Sequence, residues 1–126
     1  MRLLLDTNAF LWWRNEAPQL AARVIAAIGD PENEIVVSIV SLWEIAIKAA
    51  KGQFVIDLDI LSAAVDQAAL RELPVKRQHI RTLRTLSFHH HDPFDRMLIA
   101  QAVTEPLHLL TSDEKLKLYS DLVVLV

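Results

Sequence analysis

Apolar positions in this chain come in two rhythms, short continuous runs and longer stretches with a helical repeat. Residues 2–5, 34–37, 72–74, 107–110 and 122–126 are short apolar-rich runs and read as strands, most of them without the polar alternation of a half-exposed sheet. Residues 9–13 can turn helical, and Leu20, Val24, Ala27 and Ile28 give a second stripe, with Pro18 suited to that helix's first turn. Gly29-Asp30-Pro31 is a break. Ser38 or Ser41 can cap a helix whose positions Leu42, Ile45, Ala46 and Ala49 share one face, and Gly52 ends it. Asp57 or Asp59 opens another helix reaching to about residue 70, and 76–86 reads as a further one. Residues 89–92 form a loop. Pro93 then falls at the first position of a helix capped by Asp92, with Phe94, Met97, Leu98 and Ala102 on one face. Pro106 breaks that helix, and Ser112 or Asp113 starts a short one.

Strands alternating with helices predict an α/β fold: a mainly parallel sheet of about five strands, covered on both faces. With 126 residues and no linker, repeat or low-complexity tract beyond three histidines, a single domain over 1–126 is expected. The 52% hydrophobic and 23% charged residues suit a compact core and exclude disorder. No apolar run approaches the roughly 20 residues of a membrane span. The opening MRLLLDTNAF reaches an acid too soon for a signal peptide, so a cytoplasmic protein is expected. Cysteine is absent, which removes disulfides, thiolate chemistry and Cys-built zinc sites. The formal net charge of −3 argues against binding nucleic acid through a broad basic surface. It leaves room for a nuclease whose positive charge is supplied by metal.

Four acids stand out by position. Asp6 ends the first strand, and Asp113 lies just past the strand 107–110. Glu44 lies in the first turns after the second strand, and Asp95 in the first turn of the helix opened by Pro93. In an open parallel sheet, ligands bind outside the carboxyl ends of the strands, so all four fall on one rim. Taken singly, Asp6 reads as a turn residue, Asp113 as an N-cap and Asp95 as a complement to the helix dipole. Glu44 resists such a reading because it interrupts the apolar run LWEIAI. Like charges held together destabilise a fold unless something positive compensates, and oxygen-only ligands suit Mg²⁺ or Mn²⁺.

The segments LLLDTNAFLW, VSIVSLWEIAIK, HHHDPFDRMLIAQA and LLTSDEKL closely resemble the PIN domain, in particular VapC-like toxins of bacterial toxin–antitoxin pairs. The likeness runs from Arg2 to the last strand, and DPFDR followed by LIAQA is its most specific part. It implies a three-layer α/β/α fold and a Mg²⁺- or Mn²⁺-dependent endoribonuclease acting on RNA. It also implies a homodimer and inhibition by a cognate VapB-like antitoxin. The family's metal-binding acids fall on Asp6, Glu44, Asp95 and Asp113, and its polar helpers on Thr7, Asn8 and Thr111. Glu114 follows Asp113 directly and is not counted as a ligand.

Other features carry competing readings. Three consecutive histidines, His89, His90 and His91, rarely turn inward together, so a polar loop is favoured over a zinc site. Arg77, Arg81 and Arg84 form one stripe, either a solvated face or a track for RNA phosphates. Arg96, fixed by the motif helix, is the better candidate for contact with phosphate or acid. Trp12 and Trp13 point about 100° apart on a helix, so one is expected to be exposed as a contact surface. Two rival functions remain: a phosphohydrolase with Asp6 as nucleophile, and a non-catalytic RNA- or partner-binding module. Asn8 in place of a second acid argues against the first, and the presence of all four acids against the second.

Overall fold

The apolar runs assemble into one five-stranded sheet in which every pairing is parallel. The computed structural model describes residues 1–14, 18, 20–53 and 55–126, with Arg23 described by its backbone alone. Strand β1 (Arg2–Leu5) leads to α1 (Thr7–Arg14) and α2 (Ala22–Gly29). Strand β2 (Glu34–Ser38) leads to α3 (Ile39–Ala50) and α4 (Leu58–Gln67). Strand β3 (Arg71–Leu73) is followed by α5 (Arg77–Thr85) and α6 (Pro93–Thr104). Strand β4 (His108–Thr111), a 3-10 turn (Glu114–Leu118) and β5 (Val123–Leu125) complete the chain.

The strand order is β3-β2-β1-β4-β5. The chain therefore builds outward from β1 in one direction, then returns to its other side. That reversal puts a topological switch point between β1 and β4, and a crevice opens there beyond the strand ends. Parallel strands need a crossover, and the helices that provide it bury both faces of the sheet. Side chains alternate between the two cores. Leu3, Leu5, Ile35, Val37 and Leu110 pack with Phe10, Val24, Ile45 and Val65 on one face. Leu4, Val36 and Leu109 pack with Leu98, Ile99 and Leu116 on the other.

Local chemistry sets the helix ends. Ser38, rather than Ser41, caps α3, its hydroxyl accepting the Val40 N–H at 3.0 Å. Asp57, rather than Asp59, caps α4. Gly52 takes the left-handed conformation with φ 75° just past α3. One expectation is corrected. The second helix begins at Ala22, so Pro18 lies in a turn before it and not in its first turn, and Gln19 lies outside the described residues. Leu20 is nevertheless buried with Val24 and Ile28, because the stripe reports burial whether or not its first member is helical. Among the described residues, no helix is long and apolar enough to cross a membrane.

A buried polar chain ties the two helices that matter for the rim. Ser38 Oγ donates to Gln101 Oε1 at 2.6 Å, and Gln101 Nε2 donates to the Pro74 carbonyl at 3.2 Å. Fully buried His79 accepts the Lys76 N–H on Nδ1 at 3.0 Å, which leaves the proton on Nε2 facing Glu105 Oε2 at 2.6 Å. That bond holds the Glu105 carboxyl below its ordinary value. Its stabilising effect is therefore present above the unfolded carboxylate range and is lost as pH falls through the lowered value. Acid melts followed by circular dichroism should show a steep loss of Tm below about pH 4 in the native chain. Glu105→Gln, less stable at pH 7, should show a shallower acid limb.

Candidate metal centre and active site

Each acid on the rim is presented by a different element. Asp6 follows β1 and is still in the sheet, its N–H donating to the Leu110 carbonyl at 3.0 Å. Its Oδ1 accepts the Ala9 N–H at 2.7 Å, so the same side chain starts α1. The Thr111 hydroxyl at the end of β4 also bonds to Asp6, and accepts the Asp113 N–H at 3.1 Å. Thr111 thus links two acids across the switch point. Asp113 caps the 3-10 turn through Oδ1, which accepts the Lys115 N–H at 3.0 Å, and turns Oδ2 to the rim.

Glu44 is 5% exposed, and both its oxygens are engaged. Oε1 accepts from the Thr7 hydroxyl at 2.6 Å, and that hydroxyl is 3.1 Å from Ser41 Oγ. Oε2 pairs with Lys48 Nζ at 2.7 Å, one helical turn further along α3. Asp95 is set in the first turn of α6, where the Asp92 side chain accepts the backbone N–H groups of Phe94 and Asp95. Asn8 is exposed on α1.

The electrostatics show that the four acids share one environment. Burial pushes the Asp6 carboxyl up to about 6, with the charges of Glu44 and Asp113 adding to it and bonds from Thr111 and Ala9 opposing it. Burial likewise pushes Asp95 up to about 7, helped by the charges of Asp92, Asp6 and Glu44 and opposed by His90. Hydrogen bonding to Glu44 leads the causes that raise Lys48, and the charges of Asp92 and Asp95 act in the same direction. Desolvation and neighbouring like charge together make ionised Asp6 and Asp95 costly, a cost that a divalent cation bound there would offset.

The donor set fits such an ion. Asp6, Asp95 and Asp113 offer hard carboxylate oxygens suited to Mg²⁺ or Mn²⁺. One ligand atom each from His90, Asp95 and Asp113 lies within 4.8 Å of the others. His90 is a residue that sequence reasoning missed. Of the three histidines it alone is drawn in, with Nε2 at 2.7 Å from Asp113 Oδ2 and 3.5 Å from Asp95 Oδ2, while His89 and His91 stay exposed. Lys48 was also missed, although its position four after Glu44 is the spacing of a helical ion pair.

Two further expectations change. Arg96 is buried, and its guanidinium donates to the Ser87 carbonyl at 2.8 Å and to the Tyr119 hydroxyl at 3.0 Å. It is committed to the protein's own loop rather than presented as a free cation, because a helix residue next to Asp95 points about 100° away from it. Trp12 and Trp13 are both partly buried against the core, and neither stands out into solvent. Trp43 does, at 60% exposure, with its ring edge-on to Phe94 at 5.1 Å. Arg77, Arg81 and Arg84 are exposed on α5, as a solvated face requires.

Several solved structures share this architecture. VapBC2 from Rickettsia felis, bound to a DNA fragment from its promoter, aligns with a TM-score of 0.72 at 16% identity, covering 100% of this chain and 98% of that one. A toxin–antitoxin complex from Klebsiella pneumoniae aligns with a TM-score of 0.68 at 20% identity, covering 97% and 95%. FitAcB from Neisseria gonorrhoeae aligns with a TM-score of 0.67 at 21% identity, covering 98% and 96%. At these identities the likeness establishes the fold. No curated protein matches the chain in sequence. The sequence profile of the PIN domain, however, matches residues 3–122, and on that near-complete match the chain belongs to the PIN domain family.

Proposed function

We propose that this protein is a divalent-metal-dependent endoribonuclease, the toxin of a toxin–antitoxin pair, folded as a single domain over residues 1–126. The observation that carries the reading is the pair of rim carboxylates, buried Asp6 and part-buried Asp95, raised to about 6 and about 7 by desolvation first and by neighbouring acids second. Groups so perturbed at a sheet's switch point support a functional reading of the site over a structural one. Membership of the PIN family supports nuclease chemistry.

In this reading Asp6, Asp95 and Asp113 hold Mg²⁺ or Mn²⁺. The chemistry such an ion supplies when bound is charge neutralisation at the scissile phosphate and activation of a water for attack. The chain's own residues do the rest. Thr111 orients Asp6 and the backbone of Asp113 together. Thr7 and Lys48 fix Glu44 from opposite sides, so Glu44 acts through its hydrogen bonds and its charge, or through water, rather than as a freely turning ligand. Lys48 adds a cation beside the acids, where the RNA backbone would arrive. Arg77 and Arg81 are exposed on α5, and in this reading they are further candidates for contact with the RNA backbone.

The partner follows from the same likeness. The structural neighbours include VapBC and other toxin–antitoxin complexes, which supports a VapB-like antitoxin as the partner here. A groove in which Arg14 and Asp57 stand beside Leu11, Val55, Ile56 and Ile60, with Val55 and Ile60 largely exposed, offers a mixed apolar and charged surface for an antitoxin segment. A homodimer in the cytoplasm belongs to the same reading.

Cleavage of total RNA in the presence of Mn²⁺, assayed on denaturing gels, tests the activity. Asp6→Asn and Asp95→Asn should each lower it about 100-fold or more while the protein remains folded. Robust cleavage in EDTA would sink the reading. The cation should also be visible in stability. Asp6 and Asp95 have folded values of about 6 and about 7, above the ordinary 3.8, so their favourable contribution is full below that ordinary value. It is lost as pH rises through the folded values. The Tm of the cation-free protein should therefore fall between about pH 4 and pH 8 as these two groups ionise, and Asp95→Asn should flatten the fall. Mg²⁺ should raise Tm more at pH 8 than at pH 5, because it binds the ionised carboxylates. Reversing Arg77 and Arg81 to Glu should weaken RNA binding and reduce its salt dependence by about two counterions. An unchanged salt slope would remove these arginines from the RNA path.

A further inference from the structure

The loop of residues 86–92, which joins α5 to α6, is braced as if to place one side chain. Arg96 donates to the carbonyls of Ser87 at 2.8 Å, Leu86 at 3.4 Å and His90 at 3.5 Å, and its guanidinium lies 4.4 Å from the centre of the Phe88 ring. The Tyr119 hydroxyl accepts from Arg96 at 3.0 Å and from the His90 N–H at 2.9 Å. The Tyr119 ring meets His89 edge-on at 5.0 Å. Two of these contacts hold the His90 backbone itself, Arg96 at its carbonyl and Tyr119 at its N–H, and the His90 side chain alone among the three histidines reaches the acids.

Two bonds decide which His90 nitrogen carries the proton. The Asp92 N–H donates to Nδ1 at 3.0 Å, so Nδ1 presents its lone pair and the proton of the neutral ring sits on Nε2. Nε2 is the nitrogen that faces Asp113 Oδ2 at 2.7 Å and Asp95 Oδ2 at 3.5 Å. A metal-binding histidine needs the reverse, with the inner nitrogen free and the outer one donating to a carbonyl or carboxylate. Moving the proton to Nδ1 here would set it against the Asp92 N–H, donor against donor. In this loop His90 meets the carboxylates as a donor and not as a ligand.

We propose that His90 is a resident hydrogen-bond donor of the acidic centre, seated between Asp95 and Asp113, so that a divalent cation must displace its Nε2–H from Asp113 in order to bind. This rests on the metal-dependent reading above. It gives the bracing a purpose, since a side chain that competes with an ion must be held in register with it. Arg96 and Tyr119 are then positioning residues that act through His90. The Asp113 carboxylate has the imidazole N–H as its partner before loading and exchanges it for the cation.

Mn²⁺ binding to the full chain at pH 8, followed by electron paramagnetic resonance of the free ion, tests the competition. His90→Ala should bind Mn²⁺ about three- to tenfold more tightly than the native protein, because one charge-assisted hydrogen bond no longer opposes binding. Weaker or equal binding by this variant would overturn the proposal. A second measurement needs no variant. Imidazole ¹⁵N spectra of the native protein should place the proton on His90 Nε2 both without and with saturating Mg²⁺, with the Nε2 resonance shifting on loading. A deprotonated, ligating Nε2 in the loaded protein would overturn the displacement. The failure modes separate cleanly. A native protein that binds no Mn²⁺ would remove the metal-dependent reading itself, whereas native binding with equal or weaker binding by His90→Ala removes only the role given to His90.

Discussion

Crowding of like charge at the carboxyl ends of β1 and β4 is the constraint around which the rest of the molecule is organised. Asp6, Glu44, Asp95 and Asp113 come from separated segments, yet Asp6 and Asp95 each feel the charges of others in the set. No fold gains stability from such an arrangement without a compensating charge. The sheet makes it possible. The order β3-β2-β1-β4-β5 places the ends of β1 and β4 side by side, and the apolar layers on both faces hold them there.

The acids are also woven into the elements that carry them. Asp6 caps α1 through the Ala9 N–H, Asp113 caps the 3-10 turn through the Lys115 N–H, and Asp92 caps α6 beside Asp95. Capping uses one carboxylate oxygen and fixes the direction of the other. Asp113 illustrates the economy: Oδ1 closes its own turn while Oδ2 meets His90. The positions of α3 and α6 are coupled in turn by the buried bond from Ser38 to Gln101. Ser38 caps the helix that carries Glu44, and Gln101 lies on the helix that carries Asp95. Rigid spacing between those two acids therefore depends on a polar contact deep in the second core.

Positive charge enters this rim in a graded way. Lys48 is bound to Glu44 and remains partly exposed, whereas Arg96 is held back in the loop; His90 meets Asp113 with a ring nitrogen and adds no formal charge as a neutral ring. The chain as a whole carries a net charge of −3, so attraction for a polyanion has to be local. In the metal-dependent reading proposed above, such a site would need a cation for cohesion as well as for chemistry, which would link its stability to its function.

The sequence by itself determined the elements and the parallel sheet, and it pointed to four acids that the fold carries to one rim. Period, turn residues and caps are local properties, so the runs at 2–5, 34–37 and 107–110 and the cap at Asp92 could be read without tertiary information. The N-terminal limit of α2 could not, because Leu20 is buried by packing and not by helix formation. Only the tertiary structure decided the directions of side chains in loops and the partners of long charged residues. His90 faces inward because Tyr119, distant in sequence, holds its backbone, and no periodicity encodes that. Arg96 serves the loop because the carbonyls of residues 86, 87 and 90 converge on it, and converging carbonyls have no signature in composition. Trp12 and Trp13 both find partial cover against the same core cluster, which reaches around α1 beyond a single helical stripe. Local chemistry named the residues of the rim; long-range packing decided which of their neighbours would join them.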